Sequence, residues 1–376
     1  MTYLQRARQT LEAIRSEHRY RELPQYGLSN VIDFSSNDYL GLATDPQVVE
    51  ALKRATRAGS GGARLLGGRN REHALLEDEL AEWLGRERAL LFSSGYLAGV
   101  GTIPVLAELV ETILSDQSNH ACLIDGIRLA RIPHSIYEHA TLPPTSGSKS
   151  LLVVSESIFG MDGDAIDPTA ILECLQEQDV LLLDEAHALG IAGPQGAGLA
   201  RALDDPRILI LGTLSKTLGS LGGFVAGPAT AIELLVNRAR SFIFDTALPP
   251  SLVLASRIAL LLTRRGDDRR ERLRANAAHL RSSLTLTPSV EPVLSPSAAL
   301  RTSSVEGPIV SVLLGSEERA LGVSEELWKR RIFVPAIRPP TVPPGTSRLR
   351  ITIRADHTLE QVDMLAKELR RCVATS

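Results

Sequence analysis

Four apolar segments in the middle of the chain constrain its fold more than any other feature. They are residues 150–157, 179–187, 207–216 and 222–228, and stretches with helical spacing alternate with them. Each segment is apolar at consecutive rather than alternate positions, which is typical of strands covered on both faces. The pattern therefore predicts a largely parallel sheet in an α/β fold. Open α/β sheets bind ligands at the carboxyl ends of their strands. Polar residues that carry chemistry lie at those ends: Ser155, Asp184, His187 and Lys216.

The two ends of the chain differ from this middle part. Apolar residues at helical spacing predict an amphipathic helix over 4–22 and another over 73–85, which a glycine ends. Beyond about residue 275, short strands with proline-rich connections precede a final helix. We therefore divide the chain into an N-terminal helix and segment (1–42), a large α/β domain (43–275) and a C-terminal α+β domain (276–376).

Composition and charge narrow the classes of function. The chain has 376 residues, of which 44% are hydrophobic, and a formal net charge of -3. It has no basic region that would hold nucleic acid and no apolar run near the ~18–20 residues of a membrane helix. Cys122, Cys174 and Cys372 lie far apart, which suits a reducing compartment. We expect a soluble cytoplasmic protein that binds small molecules or proteins.

The segment TLSKTLGSLGG, residues 213–223, places one lysine among small and hydroxylated residues. It is not a P-loop, because Ser215 rather than glycine precedes Lys216. A lysine at a strand end can be desolvated, which lowers its pKa and makes the amine a nucleophile toward carbonyls. A solvated lysine in a loop is the alternative that this segment leaves open.

A second segment, LLLDEAHALG, ends an apolar run at Asp184 and places His187 three residues later. Asp184 can cap a helix, or it can pair with the ring nitrogen of pyridoxal phosphate (PLP) and keep that ring protonated. His187 can brace such a cofactor. The two residues can also bind a metal, but no third ligand stands at motif spacing, so we predict no metal site. One helix and one strand fill the interval between Asp184 and Lys216, so both side chains can face one crevice.

The segment FSSGYLAG predicts an anion site, because a strand turns there into a helix. N–H groups at Gly95 and Tyr96, together with the helix dipole, favour a phosphate, although such turns also occur without ligands. Thr213 can add a hydroxyl. His120 lies in the polar segment DQSNHAC and either stacks on a flat heteroaromatic ring or has a structural role.

Seven motifs in this chain occur in the order and spacing of one known family. They are DFSSNDYLGL, GSGGARLLGG, SSGYLAG, DQSNHAC, SESIFGMDGD, LLLDEAHALG and TLSKTLGSLGG. Over nearly its whole length the chain resembles the α-oxoamine synthases, which are fold-type I PLP-dependent transferases. The resemblance implies a mostly parallel, seven-stranded mixed sheet, a smaller C-terminal domain, PLP as cofactor and a homodimer with shared active sites.

The resemblance also implies roles for cofactor-binding residues. Lys216 would bind the cofactor aldehyde and act in catalysis, together with Asp184 at the ring nitrogen and His120 stacked on the ring. His187 would lie near the phenolic oxygen. Three residues would hold the phosphate region: Gly95, Tyr96 and Thr213.

Residues 336–357, AIRPPTVPPGTSRLRITIRADH, resemble the branch of the family that condenses L-alanine with a pimeloyl thioester in biotin biosynthesis. This implies coenzyme A or an acyl carrier protein as acyl donor. Arg338 would take the amino-acid carboxylate. Other residues match substrate-binding positions: Asn37, Thr341 and Arg19, with Arg21 as the alternative to Arg19. Two other functions stay open, a relative that uses glycine or serine with another acyl-CoA, and a non-catalytic protein with the same fold.

Three positions depart from the pattern of the family. Gly160 precedes MDGD where serine is frequent, Ala188 follows His187 where glycine is common, and Asp245 stands where serine is frequent. None of these changes removes a group that the chemistry requires, but they bear on substrate range and activity.

Overall fold

The amino-terminal helix ends earlier than the sequence predicts. In the computed structural model, which describes residues 1–23, 30–145, 147, 149–285 and 307–375, helix α1 covers Tyr3–Ser16. The predicted helix over 4–22 is therefore wrong at its carboxyl end. His18 adopts a left-handed backbone conformation with φ of 54°, which an α-helix cannot continue through.

The next elements lead into the large sheet. Strand β1 is Ile32–Asp33, and helices α2 and α3 are Pro46–Lys53 and Arg71–Leu84. Helix α3 confirms the helix predicted over 73–85. Asn70 caps its first turn, and Gly85 ends it in a left-handed conformation.

Seven strands form the central sheet. They are β2 (Arg88–Phe92), β3 (Thr112–Asp116), β4 (His134–Tyr137), β5 (Leu151–Glu156), β6 (Val180–Asp184), β7 (Ile208–Thr213) and β8 (Gly223–Gly227). Their order is β2-β8-β7-β6-β5-β3-β4, and β8 runs antiparallel to its two neighbours while the other pairs are parallel. This confirms the mostly parallel mixed sheet, and β5 to β8 lie within the four apolar segments.

Both faces of the sheet are covered, which explains the continuous apolar runs. In β5, Leu151 and Val153 pack into one hydrophobic cluster, while Leu152 and Val154 pack into the other. The helices of this region are α4 (Gly95–Leu106), α5 (Ala121–Ala130), α6 (Pro168–Cys174), α7 (Ala229–Arg238), α8 (Arg240–Ile243) and α9 (Pro250–Arg264). Within the described ranges, no helix is both long enough and apolar enough to cross a lipid bilayer.

The carboxyl-terminal part combines helices with a small antiparallel sheet. Its elements are α10 (Asp267–Thr285), β9 (Ile309–Gly315), α11 (Glu317–Lys329), β10 (Ile332–Phe333), β11 (Ala336–Ile337), β12 (Ser347–Thr352) and α12 (Leu359–Ala374). The sheet order is β11-β12-β9, and β10 pairs in parallel with β1. The domain division stays a prediction. Its boundary at residue 276 lies inside α10, and residues 286–306 lie outside the described ranges.

Candidate active site

Three ionisable side chains meet at the carboxyl edge of the central sheet. Asp184 is the last residue of β6, Glu156 is the last residue of β5, and the two are paired in register. Lys216 follows shortly after the end of β7, the other neighbour of β6. The structure thus brings Asp184 and Lys216 to one crevice, as the sequence predicts.

The amine of Lys216 is available for chemistry. Its side chain is half-buried, and no described residue forms a hydrogen bond or an ion pair with its Nζ atom. Burial lowers the pKa of Lys216 below its ordinary value, and the charges of Asp184 and Glu156 oppose that shift. A desolvated amine of this kind binds carbonyl carbons readily.

Asp184 keeps one oxygen free in a buried position. Its Oδ1 atom accepts a hydrogen bond from the Ala186 N–H at 2.8 Å, while Oδ2 accepts none from the described residues. Burial raises the pKa of Asp184, and the positive charge of Lys216 is the largest opposing influence. A second cation placed against Oδ2 would hold this carboxyl group ionised. Asp184 Oδ2 is therefore available to pair with a cation in the crevice.

Glu156 is a site residue that the sequence reasoning missed. It is buried, and burial together with the charge of Asp184 raises its pKa to about 8. The main-chain N–H groups of His120 and Gly160 oppose that shift in pKa. Its position was visible in the sequence, since Glu156 ends its apolar run as Asp184 ends the next one.

The predicted anion site lies at the start of α4. Ser94 caps this helix by accepting the Leu97 N–H at 3.1 Å, and Gly95 and Tyr96 open its first turn. The first N–H groups of a helix have no partner within that helix. A Cβ on Gly95 would lie 3.1 Å from Thr213 Cβ, so this turn packs closely on the end of β7.

Hydroxyl groups line the same corner. Thr213 Oγ1 lies 2.7 Å from Ser215 Oγ and donates to the Gly222 carbonyl at 2.9 Å. Because Thr213 uses its proton there, Ser215 is the donor in the contact between the two hydroxyls, and the exposed Ser215 side chain would donate to an anion after turning away from Thr213. The sequence reasoning named Thr213 but not Ser215.

His120 caps α5 and leaves its ring open to the crevice. Its Nδ1 atom accepts the Cys122 N–H at 3.3 Å, and the side chain is exposed. The surrounding protein lowers its pKa by desolvation, against the charge of Asp184, which raises it. An uncharged imidazole at this position can stack on a flat ring.

His187 lies deeper, against Tyr39. Its Nδ1 atom is 2.6 Å from the Tyr39 hydroxyl oxygen, and both side chains are buried. Burial lowers the pKa of His187 well below its ordinary value, and the charges of Lys216 and Arg350 add to this. His187 is therefore a neutral imidazole.

Arg350, on β12, is a second residue that the sequence reasoning missed. It is buried, and its Nη1 and Nη2 atoms each lie 3.1 Å from the side-chain oxygen of Asn37. Its charge influences the pKa values of Lys216 and Tyr39. Nothing in the sequence distinguishes Arg350 from Arg348, which lies two residues earlier on the same strand.

The other predicted substrate residues are Arg338, Thr341 and Arg19. They lie where the segment after β11 contacts the segment after α1. Arg338 donates to the His18 carbonyl at 2.5 Å, and the Thr341 N–H donates to the Arg338 carbonyl at 3.1 Å. Arg19 forms ion pairs with Glu17 and Glu317. Their described contacts do not include the residues around Lys216, so their role in substrate binding stays a prediction.

The three positions that depart from the pattern of the family have different surroundings. Ala188 is fully buried in the turn after Asp184. Asp245 accepts a short hydrogen bond from Ser93. Gly160 borders His187 so closely that a Cβ on it would lie 2.4 Å from His187 Nε2.

These residues fit pyridoxal phosphate. The crevice supplies a free amine for an aldehyde, a carboxylate oxygen for a ring nitrogen, and an open imidazole for the ring face. The start of α4 supplies N–H groups for the phosphate. Among the described residues, no group of three His, Cys, Asp or Glu side chains could hold a metal ion.

Comparison with known proteins identifies the family. The profile of the aminotransferase class I and II family matches residues 29–369. The chain belongs to this family, and its fold class is that of the fold-type I PLP-dependent enzymes, as predicted.

Relatives named 8-amino-7-oxononanoate synthase match most of the chain. The protein of that name from Paraburkholderia phymatum is 42% identical over 358 residues, which cover 91% of this chain and 89% of the relative. The one from Lysinibacillus sphaericus is 38% identical and covers 97% of both chains.

Solved structures agree in fold. A serine palmitoyltransferase from Sphingomonas wittichii has a TM-score of 0.85 at 26% identity and covers 99% of this chain and 96% of its own. An 8-amino-7-oxononanoate synthase from Francisella tularensis has a TM-score of 0.76 at 25% identity, covering 92% and 99%. A serine palmitoyltransferase from S. paucimobilis with bound PLP–myriocin has a TM-score of 0.84 at 28% identity, covering 92% and 89%.

Proposed function

We propose that this protein is an 8-amino-7-oxononanoate synthase. It would be a PLP-dependent acyltransferase that condenses L-alanine with a pimeloyl thioester and releases CO2 and the free thiol, as a step of biotin biosynthesis. One observation carries the proposal: a free, desolvated lysine beside a buried aspartate, in a chain 42% identical to a relative of that name.

The cofactor, when bound, supplies an aldehyde that takes up amines and a ring that accepts the electrons of a carbanion. Lys216 would hold the aldehyde carbon in the resting protein. Asp184 Oδ2 would hold the ring-nitrogen proton, and its burial makes that charge pair stronger than it would be in water. His120 would cover the ring face, and Gly95, Tyr96 and Ser215 would bind the phosphate.

Lys216 would also act as the base of the reaction. With alanine bound in the crevice, the Lys216 amine would accept the proton from the alanine Cα atom. Its lowered pKa suits this role, since a general base is most effective when its pKa lies near the working pH. Proton transfer by a positioned base contributes roughly 10²–10⁴-fold to a rate.

Two arginines are candidates for the alanine carboxylate. The family resemblance assigns this role to Arg338. The contacts favour Arg350, because its charge lowers the pKa of Lys216 and its side chain donates to Asn37, another predicted substrate residue. Replacing each by lysine separates them. At the arginine that binds the carboxylate, replacement by lysine should raise the KM for alanine at least tenfold, because lysine cannot make the bidentate contact.

The remaining proposals concern partners. The family resemblance supports a homodimer with shared sites, coenzyme A or an acyl carrier protein as acyl carrier, and a cytoplasmic location. Light scattering tests the dimer, and an active monomer would contradict it.

A second candidate function has structural support. The similarity to serine palmitoyltransferases, with a TM-score of 0.85, favours an enzyme that uses serine or glycine with another acyl-CoA. An assay that offers alanine, glycine or serine with pimeloyl-CoA, a pimeloyl carrier protein or acetyl-CoA decides between them. Our proposal requires alanine and a pimeloyl donor to be preferred by at least tenfold. PLP binding without thioester-dependent CO2 release would instead indicate a non-catalytic protein.

A further inference from the structure

Cys122 stands in the first turn of α5, and two of its polar groups meet the same ring nitrogen of His120. Its main-chain N–H donates to His120 Nδ1 at 3.3 Å, and its Sγ atom lies 3.0 Å from that nitrogen. A main-chain N–H can only donate, so Nδ1 is an acceptor and carries no proton. A thiol is a weak donor, and it faces this lone pair. Cys122 therefore donates twice to one atom of His120.

These contacts decide where the protons of the two side chains are. Burial raises the pKa of the Cys122 thiol, so the sulfur keeps its proton and can donate it. Desolvation lowers the pKa of His120, so the ring is neutral and carries a single N–H. Since Nδ1 is an acceptor, that N–H is at Nε2. No described residue hydrogen-bonds Nε2, which leaves this donor on the exposed side of the ring.

Helix α4 holds the sulfur in place. Cys122 is buried, and a Cβ on Gly99 would lie 3.1 Å from its Sγ atom. The two helices cross closely here, since a Cβ on Gly126 of α5 would lie 3.0 Å from the Gly99 carbonyl oxygen. The sulfur thus contacts α4 and the His120 ring at once. Because α4 is the helix whose first turn forms the anion site, Cys122 connects that site with the ring of His120.

Several charged or titratable groups of the crevice surround His120. The charge of Asp184 raises its pKa, and the charge of Lys216 lowers it. The main-chain N–H of His120 acts on the carboxyl group of Glu156, and the neutral ring of His187 lies near enough to be influenced by it. A charged His120 would pair with Asp184 and compete with any other cation for its Oδ2 atom. The crevice therefore works best for a cationic ligand while His120 is neutral.

Taking up a second proton would break both contacts between His120 and Cys122. That proton goes to the ring nitrogen that lacks one, which is Nδ1. The new N–H would face the main-chain N–H of Cys122, and the thiol would have to turn its own proton away. The two contacts therefore stabilise the neutral ring against protonation.

We propose that Cys122 is a positioning residue of the crevice, whose thiol donates to His120 Nδ1 and so holds the ring neutral with its Nε2–H outward. Cys122 acts through His120 and needs no contact with cofactor or substrate. The benefit for the cofactor rests on the proposed function, whereas the contact between thiol and ring does not. While His120 is uncharged, Asp184 Oδ2 stays available for the protonated ring nitrogen of the cofactor.

The first test follows His120 in the cofactor-free protein. Long-range ¹H–¹⁵N spectra report the tautomer and the pKa of the ring, and the signals lost in His120→Gln identify it. Cys122→Ala removes the thiol but keeps the main-chain N–H, so the pKa of His120 should rise by about half a unit, roughly a threefold gain in proton affinity. Cys122→Ser keeps a donor and should stay within about 0.2 unit of the parent. Cys174→Ala, which removes a thiol that donates to the Ala170 carbonyl in α6, is the matched control.

Two results of this test would overturn the proposal. One is a parent ring that carries its proton on Nδ1, and the other is a His120 pKa in Cys122→Ala equal to that of the control. If Cys122→Ala does not fold, a proton on Nδ1 in Cys122→Ser is sufficient to overturn it.

The second test uses the protein loaded with PLP. A charged His120 would compete for Asp184, so kcat/KM for alanine should fall toward acid pH as His120 takes up a proton. Since this profile reports ionisations of the free enzyme, its acid midpoint in Cys122→Ala should lie about half a unit above that of the parent and of Cys122→Ser. An unchanged midpoint would overturn the role of Cys122 in the crevice. A parent that binds no PLP would count against the proposed function alone, because the spectra of the cofactor-free protein still test the thiol contact.

Discussion

Replacing Asp184 by asparagine removes the charge that would hold the ring-nitrogen proton while keeping the size of the side chain. Asp184 Oδ1 would still accept the Ala186 N–H through the amide oxygen, so the local turn should persist. An opposite charge at ~4–6 Å shifts a pKa by about 1–3 units, and one unit corresponds to about 1.36 kcal/mol. The loss is therefore roughly 1.4–4 kcal/mol of stabilisation for the proton on the ring.

We expect this loss of stabilisation to appear mainly as a lower kcat. Since each 1.36 kcal/mol of barrier is a factor of ten, kcat should fall by about 10- to 1000-fold. The affinity for PLP should change much less, because Lys216 and the phosphate site are untouched. Absorbance titration measures the Kd of PLP, and steady-state release of CO2 measures kcat. Asp268→Asn, at an exposed carboxylate paired with Arg272, is the matched control and should leave both values unchanged. Turnover of Asp184→Asn within twofold of the parent would refute the role of this carboxylate.

Three further predictions concern single residues. Lys216→Ala should lose the visible band of the loaded protein, and its turnover should fall by at least 10³-fold; a retained band would show that another amine binds the aldehyde. Burial alone would lower the pKa of His139, but hydrogen bonds to Asp116 and Asp164 outweigh it and raise the pKa to about 10. Because the folded value lies above the unfolded one, His139 stabilises the fold fully below about pH 6.5 and loses this as pH rises through 10. The free energy of unfolding of His139→Ala, measured by urea denaturation, should therefore be lower than that of the parent by about 3 kcal/mol or more at pH 6. The difference between the two proteins should be smaller at pH 10. A difference that does not change with pH would contradict the charge pairing. The pKa of Glu156 is raised from 4.5 to about 8, so its contribution to stability declines as pH rises between these values. In the cofactor-free protein, Glu156→Gln should gain thermal stability relative to the parent from pH 5 to pH 8, and a constant difference in Tm would refute this.

The sheet and the chemistry at its edge were predictable because their signals are local. Continuous apolar runs report strands covered on both faces, and β5 to β8 lie within them. Asp184 ends one strand and Lys216 follows the adjacent strand of that sheet, so topology alone places them at one crevice. The helical spacing and the Gly85 stop predicted α3 in the same local way.

The residues that sequence reasoning missed depend on contacts far apart along the chain. Arg350 reaches the site because β12 lies against the segment after β5, and nothing in its own strand distinguishes it from Arg348. The end of α1 was misplaced because His18 takes a left-handed conformation that the apolar spacing does not report. Helix α11 was also not predicted, although its Ser316 cap is a recognisable start signal.

The most direct test of the account is the product made by the purified, PLP-loaded protein from L-alanine and a pimeloyl thioester, identified by mass spectrometry. We predict 8-amino-7-oxononanoate, formed with one CO2 per free thiol and abolished in Lys216→Ala. Formation of no such product, or its undiminished formation by Lys216→Ala, would contradict the account.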